Sequence, residues 1–226
     1  QTPESSTIPN PTTERRFTMS DPNYTALMLI IDRSGSMSSI RDDMVGGLTT
    51  LVEEQRKQPG LLTISMVSFD NQVELQHQMA TPDAVNIQLE PRGGTALYDG
   101  MGFGLNTLQA DIDALPDHAK PETVQVVVVT DGHENASGEY SGTTIKSLVA
   151  EKTKDQNWDI VFLGANQDAV MKAAELGIER DRSMTYGANR DGVSSATESM
   201  SRYMSDRRKG SHTAFSPEER RKSSGK

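Results

Sequence analysis

Three stretches of the chain are apolar on both faces of a would-be strand. Thr25-Ala-Leu-Met-Leu-Ile-Ile31 is one; Val124–Thr130, with four consecutive valines, is the second; Trp158–Leu163, ending at Gly164, is the third. Short continuous runs of this kind predict parallel strands covered by helices on both sides, since a half-exposed strand would alternate. Leu61–Phe69 and Val73–Met79 flank Asp70-Asn71 and read as a hairpin. Between the strands the apolar period changes. Ile40, Met44, Leu48, Leu51 and Val52 recur at helical spacing within Ser39–Gln58, and Pro59-Gly60 stops that helix. Leu97, Met101, Leu105 and Leu108 predict a second helix. Further helices are expected over Thr143–Asp155 and Gln167–Leu176, the latter closed by Gly177. Ser183–Tyr186 suits a short edge strand. Asp191 is placed to cap a last helix carrying Val193, Ala196, Met200 and Met204 on one face.

Strands alternating with helices predict an α/β fold. The expected architecture is a doubly wound, mostly parallel open sheet with helices on both faces, and the Asp70 hairpin supplies one antiparallel edge strand. Ligands of such sheets bind outside the carboxyl ends of the strands. Those ends are where chemistry is to be sought.

Composition adjusts this picture at the ends of the chain. With 34% hydrophobic residues and a mean hydropathy of −0.58 over 226 residues, the chain is polar for a folded domain. Residues 1–23 hold four of the ten prolines and many Ser and Thr, and read as a disordered arm. The folded domain is expected over 24–208, and 209–226 as a disordered basic tail. The net charge is −9, yet residues 201–226 carry eight Lys and Arg against three acids, which leaves the first 200 residues at −14. An acidic body is unsuited to binding nucleic acid. No apolar stretch approaches the ~18 residues of a membrane span. The absence of cysteine excludes disulfides, thiolate metal ligands and a cysteine nucleophile. With no apolar leader segment either, a cytoplasmic location is expected.

Three strand ends carry unusual residues. The first strand runs into Asp32-Arg33-Ser34-Gly35-Ser36, Thr95 follows Gly93-Gly94, and the valine strand closes on Asp131. Two carboxylates and three hydroxyls make a hard-oxygen set of low charge, suited to Mg2+ or Mn2+ rather than zinc. The i, i+2, i+4 spacing lets one turn present Asp32, Ser34 and Ser36 together, and Gly35 permits the tight path. Taken singly, Ser34 or Ser36 would be read as a helix cap, Thr95 as an N-cap and Asp131 as a turn residue. Asp70 reads as a hairpin residue, Asp99 as a first-turn helix acid, and His133 and Glu134 as surface loop.

Asp-x-Ser-x-Ser, a Thr after Gly-Gly, and an Asp closing a buried strand together resemble the metal-ion-dependent adhesion site of von Willebrand factor type A (VWA) domains. The likeness spans roughly Tyr24 to Arg207, and Gly93–Asp99 with Thr130–Asn135 look most like bacterial or phage intracellular members. The resemblance implies that Ser34 and Ser36 ligate the metal directly. It implies that Thr95 does so directly or through water, depending on conformational state, and that Asp32 and Asp131 act mainly through bridging waters and bonds to the serines. It also implies a protein partner that offers a Glu or Asp carboxylate to the ion, in recognition rather than catalysis. Two alternatives stand beside it. One is a structural domain whose metal site is unused. The other is an Mg2+-dependent phosphotransfer enzyme using Asp32 as nucleophile, although Ser34 occupies the position where such enzymes need a second carboxylate.

Overall fold

The computed structural model describes residues 20–165 and 168–225. The disordered arm expected before Tyr24 lies, for residues 1–19, outside the described residues. Its boundary moves, because the first strand, β1 (Asp21–Asp32), already begins at Asp21. The other strands are β2 (Leu61–Phe69), β3 (Val73–Ala80), β4 (Pro121–Thr130), β5 (Asp159–Ala165) and β6 (Ser183–Tyr186). They form one sheet of order β3-β2-β1-β4-β5-β6, parallel throughout except for the antiparallel β2–β3 pair. This is the expected doubly wound arrangement. The direction of winding reverses between β1 and β4, the point where such sheets open a crevice.

The alternation of β1 explains why both faces had to be apolar. Leu27, Leu29 and Ile31 join one buried cluster, and Ala26, Met28 and Ile30 join the other. The first cluster is covered by α1 (Arg41–Arg56), through Met44, Leu48, Leu51 and Val52, and by α5 (Arg190–Arg208), through Val193, Ala196, Met200 and Met204. The second is covered by α2 (Leu97–Asp113), α3 (Gly142–Ala150) and α4 (Ala169–Glu175). The expected 143–155 helix is α3 followed by a π-helical turn, Glu151–Asp155. The cap of α5 is Asn189, whose side chain accepts from Gly192 N; Asp191 lies in the first helical turn instead.

The basic segment after Lys209 is the largest departure from expectation. It is ordered: Pro217–Ser224 form α6, opened by a reciprocal Ser216–Glu219 capping box. Phe215 is buried and stacks on Tyr203 with ring centroids 4.9 Å apart. Arg202 grips Glu219 with two bonds of 2.6 and 2.9 Å. Arg220 donates to the Ser183 and Arg180 carbonyls, and Ser223 to that of Thr185, so the helix is tied to edge strand β6. One buried aromatic and side-chain bonds to strand carbonyls order a segment that has no apolar period to betray it.

Candidate metal centre

The site lies at the carboxyl ends of β1 and β4, at the switch point. Asp32 ends β1 and is fully buried. Its Oδ1 accepts the Ser34 amide at 2.7 Å and its Oδ2 the Thr130 hydroxyl at 2.6 Å. The chain then turns into a short 3-10 helix, Gly35–Ile40. Ser34 stands at the N-cap position of that helix, yet its hydroxyl caps nothing. It lies 3.0 Å from Ser36 Oγ, which in turn donates to Asp131 Oδ1 at 2.6 Å. Thr95 does not cap either: Ala96 is the residue preceding α2, and the first-turn amides of Tyr98 and Asp99 are taken instead by Glu134 and Ser137. Thr95 is buried to 3% exposure. Its hydroxyl is located by Gly132, where a Cβ would stand 2.7 Å from Thr95 Oγ1 and 3.6 Å from Ser36 Oγ. Because Gly132 has no side chain, the space beside both hydroxyls stays open. All five positions expected from the sequence thus lie at one corner of the sheet.

Electrostatics at this corner are unbalanced. Burial pushes the Asp32 carboxyl above its ordinary range; bonds from Thr130 and Ser34 oppose that, and the neighbouring Asp131 adds to it. Burial raises Asp131 too, against the bond from Ser36. Arg33, in the same loop, is turned away: its Nε donates to Asp70 at 2.8 Å and its terminal nitrogen to Glu74 at 2.6 Å. Among the described residues neither Asp32 nor Asp131 has an ion-pair partner. Also among them, no group of three or more His, Cys, Asp or Glu is placed to hold a metal. Two desolvated carboxylates, three hydroxyls and an opening kept by a glycine fit a small, hard divalent cation.

Several residues of the site had no signal of their own in the sequence. Thr130 anchors Asp32 and also accepts from Gly132 N, while its carbonyl accepts from the buried Tyr186 hydroxyl at 3.3 Å. Asp70 is a hairpin residue, as expected, in the turn between β2 and β3, and it is also a hub, accepting from Arg33, Arg92 and Gln72 N. Burial alone would raise its carboxyl, but the bonds from Arg92, Gln72 N and Arg33 overturn this and hold it below its usual range. Glu134 and Asp99 pin the loop after β4. Glu134 accepts from Tyr98 N, Ala136 N and Ser137 N, and Asp99 from the three amides of Gly138, Glu139 and Tyr140. Only a three-dimensional arrangement brings these amides to those carboxylates. The sequence does show the polar, Gly- and Ser-containing loop that supplies them.

No family model matches the chain, and no curated protein matches it in sequence. Solved structures do match in fold. Proximal thread matrix protein 1 from the mussel byssus, with a zinc-occupied MIDAS motif, superposes with a TM-score of 0.59 at 17% identity, covering 81% of this chain and 46% of that one. The vWF domain of the type V pili tip protein Mfa5 from Porphyromonas gingivalis gives 0.56 at 9% identity, covering 80% and 94%. Manganese-loaded Plasmodium vivax TRAP protein gives 0.54 at 16% identity, covering 74% and 70%. The chain therefore spans less than half of the mussel protein. Among the described residues no helix is long and apolar enough to cross a membrane. The sheet order, the single antiparallel edge and these superpositions establish that the chain has the von Willebrand factor type A fold.

Proposed function

We propose that this chain is a divalent-cation-dependent protein-interaction module. Ser34, Ser36 and Thr95, with Asp32 and Asp131, would hold Mg2+ or Mn2+. When bound, the ion supplies a Lewis-acidic position for a Glu or Asp carboxylate of a protein partner. The observation that carries this reading is the corner itself: a buried carboxylate, Asp32, and a half-buried one, Asp131, without a cationic side chain, bonded to serines that cap no helix, beside a space only glycine leaves open. A hydroxyl-rich set leaves positive charge on the ion, which favours recognition of an anion. The residues themselves orient the serines and exclude water from Asp32. We read the site as binding rather than catalytic, because Ser34 stands where a second carboxylate would be needed for acid–base work. The cysteine-free composition suits a reducing, cytoplasmic setting.

The test is a thermal melt with millimolar Mg2+, with Mn2+ and with EDTA, on wild type and Asp32→Ala. A ligand that binds only the folded state stabilises it by ~2.7 kcal/mol at 100-fold excess over Kd. Wild type should gain melting temperature with either ion and Asp32→Ala should not. Identical melts for both proteins in all three conditions would refute the metal centre. Partner capture should be lost in EDTA and with Asp131→Ala; a partner held equally in EDTA would place recognition on another surface.

A further inference from the structure

The Thr95 loop is gripped from two sides by side chains that the chemistry of the ion does not require. Asn71, in the turn between β2 and β3, accepts the Gly94 amide on its Oδ1 at 2.7 Å. Asn135, in the loop after β4, accepts the next amide, that of Thr95, at 2.9 Å, and its own amide donates back to the Thr95 carbonyl at 3.0 Å. The Ala96 amide is taken by the Asp70 carbonyl at 2.8 Å, and the Gly93 carbonyl by Gly35 N at 3.1 Å. Four consecutive residues, 93–96, are thereby fixed by partners from three other loops.

This grip explains the two glycines. Gly93 has φ of +65°, and a Cβ there would collide with Asn71 Oδ1. At Gly94 a Cβ would come within 2.8 Å of Asn135 Oδ1 and 3.3 Å of Asn71 Nδ2. The glycines make room for the two asparagines that hold them. A free Gly-Gly segment has more backbone freedom than any other dipeptide, and ordering it on ion binding would weaken affinity. Both asparagines are exposed residues, so their side chains can be altered without opening the core.

We propose that Asn71 and Asn135 are positioning residues that hold Thr95 in its binding position before the ion arrives, so that Mn2+ affinity depends on them through Thr95. The inference rests on the metal reading above. It replaces a loop that orders around the ion with one that is ordered beforehand.

The experiment measures Mn2+ affinity by calorimetry for wild type, Asn71→Ala, Asn135→Ala, Asn135→Asp, Thr95→Ala and the Thr95→Ala/Asn135→Ala double variant. Amide exchange at Thr95 is followed by NMR in the metal-free wild type and Asn135→Ala. Each asparagine-to-alanine change should weaken Mn2+ about tenfold or more, the usual effect of removing an outer-shell support. Asn135→Asp keeps the accepting oxygen and should restore most of the affinity. The double variant should bind no more weakly than Thr95→Ala alone, and the Thr95 amide should exchange faster in metal-free Asn135→Ala. If both alanine variants bind Mn2+ like wild type, or the Asn135 effect persists undiminished without the Thr95 hydroxyl, the positioning role is wrong while the metal centre stands. If wild type itself binds no Mn2+, the metal centre fails and this inference falls with it.

Discussion

Replacing Thr130 with valine removes one hydroxyl from the floor of the site and almost nothing else. Thr130 and Asp32 are both fully buried, and the Asp32 carboxylate accepts the 2.6 Å bond between them alongside one from Ser34 N. The same hydroxyl accepts Gly132 N at 3.2 Å. Valine fills nearly the same volume and suits a strand, so no cavity or propensity cost enters. What is lost is a hydrogen bond to a charged group, about 1.5–3 kcal/mol, and a weaker one to an amide, about 1 kcal/mol. The sum is about 3 kcal/mol, or a fall in melting temperature of about 6–12 °C for a domain of this size. The assay is urea unfolding and thermal melting in EDTA, with Thr130→Ser as the control. Serine keeps the hydroxyl and gives up one methyl group, about 1 kcal/mol. The stability order should be wild type, then Thr130→Ser, then Thr130→Val. The reasoning is refuted if valine is as stable as serine or more so, because an apolar strand former would then be preferred and the bond to Asp32 would contribute nothing. Valine should also weaken Mn2+ about 10–100-fold, as loss of a group orienting a ligand does.

Two further substitutions test other parts of the structure. Gly132→Ala places a methyl group 2.7 Å from Thr95 Oγ1 and should weaken Mn2+ at least tenfold, an outer-shell-sized effect or more, while the crowding lowers metal-free stability by about 1–3 kcal/mol; unchanged Mn2+ affinity would show that the space beside Thr95 is not where the ion sits. Phe215→Ala removes a buried ring stacked on Tyr203 and should cost about 3 kcal/mol in urea unfolding, the lower end for a buried aromatic; it should also hasten tryptic cleavage at Arg220 and Arg221, and equal stability with equal cleavage would return 209–226 to a disordered tail.

The parts of this fold that were legible in advance are those whose signal is local. The apolar runs of β1, β4 and β5 were visible because a strand buried on both faces is mostly apolar along its length rather than alternating. β2 and β6 match their expected bounds residue for residue, since hairpin and glycine punctuation is written in the chain. The five oxygen donors were legible as well, because doubly wound topology sends strand ends to one edge and spacing places three of the donors in one turn.

What the sequence could not state is which distant groups complete each local one. Asp191 and Asn189 are both acceptable caps, and backbone geometry at the start of α5 chose Asn189. The 209–226 segment lacks apolar periodicity, so the order of its described residues, 209–225, depends on a surface, formed by Tyr203, Arg202 and the edge of β6, that exists only once the sheet is assembled. The same holds at the site. The sequence by itself determined which oxygens reach the corner between β1 and β4. Only the tertiary structure decided how they are held, through Thr130 beneath Asp32, Asp70 between two arginines, and Asn71 and Asn135 on the Thr95 loop. The reason is physical: a hydrogen bond between residues 40 or 98 positions apart leaves no periodicity in either segment, and only the folded backbone brings donor and acceptor within 3 Å.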